Sequence, residues 1–353
     1  MYKYCGYDSF ITAYPEIELP RMKDVPGMRV ERVPKISGDW IEDSCVWLKD
    51  NAKRIDVLNL YHLCSRSLKH LLTYKLHNPQ GKVYLKLDGV PLTRATDGLK
   101  IAKGICKYVK GAEYIIKRLI CIMMAKAFTL VSTELYENAD ILTKRLKRKV
   151  ICVPNPLNPN EIHEYRPFSE RSDTILTVGR LGTKQKATEI LLEAFARIAN
   201  QIPKWTLKLV GSISENMNIA DEFFAKYPDM KERVLFAGAI ENREMLSEVY
   251  RDAKVFAFPS RWESFGIALT EAMMNGCFAV CSRIPSSTSL TENFRFALGH
   301  DVDDVDSLAE NLLYACTHEA EIERLAIEGR NATLRRCDLK SVCEIIAEEL
   351  KRT

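Results

Sequence analysis

From residue 173 onward the chain alternates between short apolar runs and stretches whose apolar positions recur at helical spacing. Residues 174–178, 205–210, 234–237, 254–258 and 278–281 read as strands, and 189–200, 243–253 and 266–275 as helices, with short turns between them. A regular β/α alternation folds as a parallel sheet with helices on its faces. The runs Thr206-Leu-Lys-Leu-Val210 and Val255-Phe-Ala-Phe258 suit strands buried on both sides. Stretches 306–318, 319–329 and 339–351 then read as closing helices. A doubly wound domain is expected over 154–335, followed by a last helix, 336–353, that packs back on the first domain.

The first half carries the same signal less cleanly. Residues 55–60, 82–87, 130–132 and 149–153 read as strands and 65–74 as a helix. Pro154-Asn-Pro-Leu-Asn-Pro159 interrupts the alternation and is the natural linker between a first domain, 1–153, and the second. Residues 1–40 are the anomaly. Pro15, Pro20, Pro26 and Pro34 punctuate them, and no clear strand, Gly-rich turn and helix opens the domain.

The 353 residues are 46% apolar, enough for two cored domains. Eleven cysteines lie scattered from Cys5 to Cys343, without a C-x-x-C pair or a histidine at zinc spacing. That pattern points to reduced thiols in a cytoplasmic setting and to no metal site. The longest apolar run, 119–125, is far below the roughly 18 residues that suggest a spanning helix. The net charge of +4 is unevenly placed, since residues 51–150 hold 20 Lys or Arg against 7 Asp or Glu. Around 112–128, Lys110, Lys117, Arg118 and Lys126 mix with Tyr114, Ile115, Leu119 and Ile122, and Lys144-Arg-Leu-Lys-Arg-Lys149 follows. Peripheral contact with the inner face of a membrane and a solvated helix face over an ordinary core both account for this. Nucleic acid is disfavoured as a partner because no recognition motif accompanies the charge.

Two segments carry chemistry. In Pro259-Ser-Arg-Trp-Glu-Ser-Phe-Gly-Ile-Ala-Leu-Thr-Glu271-Ala, Glu263 lies in a loop just before Gly266, and Glu271 lies in the helix that the glycine opens. Eight residues of helix would turn about 80° past whole turns, so the two carboxylates do not share a helical face. One acts from the loop and one from the helix. Between them the N–H groups around Ser264, Phe265 and Gly266 make a helix N-terminus suited to a diphosphate. Thr177-Val-Gly-Arg180-Leu-Gly-Thr-Lys-Gln-Lys186 ends the second domain's first strand, at the edge where open α/β sheets bind ligands. Arg180 and Lys186 either cap a strand end on the surface or stabilise charge on a departing diphosphate; with the Glu263–Glu271 segment downstream, the second reading is preferred. Asp301-Val-Asp303 imitates a D-x-D metal motif but reads better as turn and cap chemistry.

Over about residues 150–318 the chain resembles the retaining glycosyltransferases of the GT-B fold, family 4 (glycosyl transferases group 1). The resemblance is carried by Gly179-Arg180-Leu181 with Lys186, Leu209-Val-Gly211, Phe236-Ala-Gly238, the E-x7-E segment and Asn275-Gly276. It implies two Rossmann-like domains facing a cleft, a nucleotide-sugar donor, and transfer of its sugar to a saccharide or lipid-linked hydroxyl, as in bacterial surface polysaccharide or glycolipid synthesis. No cofactor or bound metal is implied. Arg180 and Lys186 would hold the donor diphosphate, Glu263 the donor sugar and Glu271 the ribose, with Gly179, Ser264, Phe265, Gly266 and Ile267 completing the donor cradle. In the first domain, relatives usually begin with a strand and Gly-rich loop and place a histidine after a mid-domain strand. Here the opening strand–loop–helix unit is expected to be missing, and Asp88 stands at the histidine's place. His62, at the end of a predicted strand, serves the acceptor or is simply a satisfied structural histidine, the plainer reading. Against the enzyme stands a GT-B nucleotide-binding partner protein that does not turn over. An epimerase or phosphorylase of the same fold is a more distant alternative.

Overall fold

The computed structural model describes residues 1–19, 27–87, 122–123, 125–213 and 218–352. Asp88 and most of the basic stretch 112–128, with Lys110, Lys117 and Arg118, lie outside those residues. Two compact units emerge: unit 1 comprises Met1–Pro154 with Lys340–Thr353, and unit 2 comprises Asn155–Leu339.

Unit 1 is built on a parallel sheet ordered β3-β4-β5-β6, from β3 (Val57–Tyr61), β4 (Lys82–Leu87), β5 (Leu130–Thr133) and β6 (Ile151–Cys152). Helices α2 (Trp40–Asn51) and α3 (Ser65–His77) pack on each other, and α4 (Tyr136–Leu146) follows β5. Residues 1–40 are not without strands. After a short helix α1 (Tyr2–Cys5), β1 (Ser9–Ala13) and β2 (Met28–Arg32) pair in parallel as a separate two-stranded sheet. Five-residue strands flanked by prolines carry too little alternation to stand out in the sequence. Asp43 anchors the chain after them. It is buried and accepts from Tyr14 Oη (2.9 Å), Ser37 N and Oγ (both 2.8 Å), and the Ile36 and Gly38 amides (both 3.1 Å). Burial alone would raise its titration, but these donors hold it well below the usual carboxylate range. The last helix, α12 (Leu339–Arg352), closes unit 1: Leu350 is buried with Tyr84 and Leu130, and Lys149 pairs with Glu349 at 2.7 Å.

Unit 2 is a six-stranded parallel sheet ordered β12-β11-β10-β7-β8-β9. The strands are β7 (Ser172–Val178), β8 (Thr206–Val210), β9 (Val234–Phe236), β10 (Ala253–Phe258), β11 (Phe278–Ser282) and β12 (Ala297–His300). β10 and β11 are buried at every position, as strands with both faces covered must be. The helices are α5 (Thr188–Ile198), α6 (Ile219–Lys226), α7 (Arg243–Asp252), α8 (Ile267–Met274), α9 (Pro285–Leu290), α10 (Val305–Thr317) and α11 (Glu319–Arg336). α5 packs on α10 and α8 on α11. The core joins Leu191, Phe195, Leu308 and Leu312 to Ile175, Leu207, Val255 and Val280. Counted from β7, the strand order is 3-2-1-4-5-6, the doubly wound arrangement of dinucleotide-binding domains.

At the sheet's amino edge Arg171 is buried against Tyr165 and Phe168 and donates to the carbonyls of Arg166 (2.8 Å), Ala253 (3.0 Å), Gly276 (3.0 Å) and Asn275 (3.1 Å). Gly276, at φ +77°, is required beside it, since a Cβ there would stand 2.7 Å from the Tyr165 ring.

Candidate functional site

Strand order reverses between β7 and β10, which are neighbours: β8 and β9 extend one way, β11 and β12 the other. Beyond the carboxyl ends of such a pair, an open α/β sheet leaves a crevice. Two loops lead from those ends, 179–187 after β7 and 259–266 after β10. Glycines set their approach. The Gly179 amide donates to the Val210 carbonyl at 2.9 Å, and Gly211 lies at φ +145° with its amide donating to Gly238 O at 2.8 Å. A Cβ on Gly211 would fall 1.7 Å from Gly179 O, so no other residue fits there.

The loops are laced together. Lys186 Nζ donates to Glu263 Oε1 at 2.6 Å, and the ammonium lies 5.4 Å from the centre of the Phe258 ring. The lysine stem runs over Gly179, where a Cβ would meet Lys186 Cε at 2.9 Å. Gln185 accepts from Arg180 Nη2 (2.8 Å), donates to Trp262 O (3.0 Å), and through its carbonyl receives the Arg261 amide (2.8 Å). Arg261 in turn donates to Lys184 O (2.7 Å), Glu189 Oε1 (2.6 Å) and Asp303 Oδ1 (2.6 Å). Sequence reasoning had Lys186 and Glu263 facing separate parts of a ligand. In the structure they face each other. Arg180 lies exposed on the same loop.

Gly266 takes φ +96° and turns the second loop into α8, with Phe265 buried beneath and Ile267 exposed. The Thr270 amide bonds Gly266 O at 3.0 Å; the amides of a helix's first turn have no acceptor within the helix and make its end positive. Glu271, inside α8, accepts from Arg243 Nη2 at 2.5 Å on Oε1 and from Tyr250 Oη at 3.1 Å on Oε2. Arg243 also bridges to Glu161, with contacts of 2.5 and 3.2 Å. Glu161 first, then Glu271, raises the guanidinium's titration further, and burial with the Glu271 charge keeps the Tyr250 phenol protonated.

Arg180, Lys186, Glu263, the turn Ser264–Ile267 and Glu271 therefore all belong to unit 2, in the loops and helix that follow β7 and β10. His62 belongs to unit 1. It ends β3 at φ +58°, its amide donating to Lys86 O at 3.0 Å and its carbonyl accepting from Ser67 Oγ at 2.6 Å. The Asp301–Asp303 turn is capped by its neighbour: Asp304 accepts from the Ser307 amide at 3.0 Å to start α10, while Asp303, at φ +65°, takes Arg261. Among the described residues, no three His, Cys, Asp or Glu side chains are grouped to hold a metal ion. Likewise no helix there is long and apolar enough to cross a membrane. Sequence reasoning missed Gln185, Arg243, Tyr250, Arg261 and Glu161. Arg243 alone left a signal, a cation directly after an N-cap asparagine, where the helix end is already positive.

Residues 159–332 match the family described as Glycosyl transferases group 1. An uncharacterized glycosyltransferase of Bacillus subtilis, YqgM, is 27% identical over 202 residues, 57% of this chain and 54% of its own. A phosphatidyl-myo-inositol mannosyltransferase of Mycobacterium tuberculosis is 27% identical over 186 residues, 51% of this chain and 47% of its own. The chain thus spans about half the length of these curated relatives. Among solved structures, Anabaena Alr3699/HepE in complex with UDP and glucose superposes with a TM-score of 0.68, covering 93% of this chain and 87% of that one at 15% identity. That likeness establishes the fold.

Proposed function

We propose, for a chain whose residues 159–332 belong to the glycosyl transferases group 1 and whose two α/β units have the GT-B fold, that it moves a sugar from a nucleotide-sugar donor to a hydroxyl with retention of configuration. One observation carries the reading: the loops after β7 and β10 and the helix α8 that the second loop opens, where the strand order reverses, carry two cations, a helix N-terminus and two carboxylates. A nucleoside diphosphate is complementary to that set. The diphosphate takes Lys186, Arg180 and the first amides of α8, the sugar takes Glu263, and the ribose hydroxyls take Glu271.

As the glycosidic bond to phosphate breaks, negative charge grows on the leaving diphosphate. Arg180, held in advance by Gln185, and Lys186, which leaves or shares Glu263 when the diphosphate arrives, stabilise it. The leaving phosphate oxygen takes the acceptor's proton, so the chemistry asks for no carboxylate pair of the hydrolase kind. These two cations supply the charge stabilisation, and we expect no metal requirement. The acceptor we expect is a saccharide or a lipid-linked saccharide, at the cytoplasmic face of a membrane that the basic first half contacts, in bacterial surface polysaccharide or glycolipid synthesis.

The test is release of nucleoside diphosphate from a panel of UDP-, GDP- and dTDP-sugars by this protein and by Lys186→Ala and Glu271→Ala. Release with one donor, abolished in both variants, supports the transferase. Thermal stabilisation by a nucleoside diphosphate without release from any donor would instead favour a binding partner protein that does not turn over.

A further inference from the structure

Arg243 stands in an unfavourable place for a cation. It is the first residue of α7, directly after the Asn242 cap, at the positive end of the helix. Two carboxylates hold it there. Its Nη2 lies 2.5 Å from Glu161 Oε2 and 2.5 Å from Glu271 Oε1, so those two oxygens are no more than 5.0 Å apart. At such a separation bare carboxylates oppose each other's ionisation. Arg243 cancels that opposition. The other oxygen of Glu271 receives Tyr250 Oη, a buried phenol that stays protonated and can only donate to a carboxylate.

We propose that Arg243 is a positioning residue for donor recognition: with Tyr250 it fixes the Glu271 carboxylate in orientation, so that its remaining acceptor sites select a ribose with both hydroxyls over the 2′-deoxy sugar. The inference rests on Glu271 being the ribose contact, as read above. A carboxylate offers about four lone-pair sites. Arg243 and Tyr250 take one each, which leaves a site for each of two hydroxyl protons. Without Arg243, Glu271 loses its tie on Oε1 while the Glu161 carboxylate stays across a short gap, and it turns away, which removes an acceptor from the ribose.

The experiment is calorimetric titration of the intact protein with UDP, GDP and ADP and with their 2′-deoxy forms, for wild type, Arg243→Gln, Arg243→Lys and the double variant Glu161→Gln/Arg243→Gln. Wild type is expected to prefer the ribose form of its best nucleotide by about 10-fold, the worth of one hydrogen bond to a charged group. Arg243→Gln should abolish most of that preference, chiefly by weakening the ribose form. The double variant, freed of the facing carboxylate, should recover part of it. Arg243→Lys keeps a charge but cannot fork between two carboxylates, and should fall between; it carries the test where the glutamine variant does not fold. An arginine with a merely structural role would weaken both forms of the nucleotide alike. A ribose preference unchanged in Arg243→Gln or, where that variant does not fold, in Arg243→Lys overturns the inference and leaves the donor reading intact. So does a wild type that binds a nucleotide without preference. A wild type that binds none of the six and releases no diphosphate from any of the sugar donors overturns the donor reading, and this inference with it.

Discussion

Lys186 and Glu263 should respond to substitution with opposite signs in diphosphate binding. Their ion pair is 2.6 Å long, and the side chains are 17% and 11% exposed, between the surface and the interior. Exposed pairs contribute about 0.2–1 kcal/mol, and losing one partner of a fully buried pair costs about 3–5 kcal/mol. A value of about 1–2 kcal/mol follows for either single substitution. In a unit of this size that lowers Tm by roughly 2–8 °C. Binding separates the two. Lys186→Ala removes a charge-assisted contact worth about 1.5–3 kcal/mol, so UDP or GDP should bind about 10- to 100-fold more weakly. Glu263→Gln removes the competitor that Lys186 must leave or share when a diphosphate arrives. Sparing about 1 kcal/mol of that competition should tighten the free diphosphate about 5-fold, while turnover of the sugar donor falls. Calorimetric titration of the two variants with the free diphosphate, beside their melting curves, reads both quantities. If Glu263→Gln weakened the diphosphate as much as Lys186→Ala does, the pair would be a fixed element of the binding site and not a latch opened by the ligand.

Gly211→Ala places a Cβ against Gly179 O and should force β7 and β8 apart at the loop edge; a circular dichroism melt within 1 °C of wild type, against an expected drop of about 5 °C or more, would refute the close-approach argument. His300 donates from Nδ1 to Asp301 O at 2.8 Å while its Nε2 is buried without a partner among the described residues, and burial holds its titration below the ordinary imidazole value. The unfolded chain then takes the proton first, so stability falls as pH drops below about 6.5. His300→Gln should flatten that fall between pH 7.5 and 5.5 in urea titrations; an unchanged slope would assign it to other groups. Asp43, depressed by its five donors, contributes stability that is present above the ordinary carboxylate range and lost on acidification through that range and below. Asp43→Asn should lower the melting temperature of wild type at pH 7 and lessen its acid sensitivity, and equal acid sensitivity in the two proteins would contradict the assignment.

The β/α alternation of unit 2 was legible because most of its strands and helices are long enough to show their own period. Some boundaries moved little, as where the predicted strand 254–258 is Ala253–Phe258, whereas the predicted helix 319–329 runs on for two further turns to Arg336. The five-residue strands β1 and β2, the helix α4 and the eight-residue helix α6 were missed, being short or diluted by charge. Site residues that belong to one contiguous segment, such as Glu263 and Glu271, could be placed on loop and helix from spacing alone. Pairings across the sheet could not. Lys186 and Glu263 are 77 residues apart in sequence, and the register that brings them together is a property of β7 beside β10. The Glu161–Arg243–Glu271 bridge joins three elements and has no signature in any one of them.

The return of α12 to unit 1 bears on the order in which the chain acquires structure during synthesis. Unit 2 is one continuous stretch, Asn155–Leu339, and all of its core can form as soon as that stretch has left the ribosome. Unit 1 is discontinuous. Tyr7, Val57 and Ile151 cover the apolar surface of Tyr84 and Leu130 only in part until Leu350 and Ile346 arrive, after every residue of the second unit has been made. A chain that ends at Leu339 and has left the ribosome should therefore show a protease-resistant second unit beside a first unit that is still cut within its early segments.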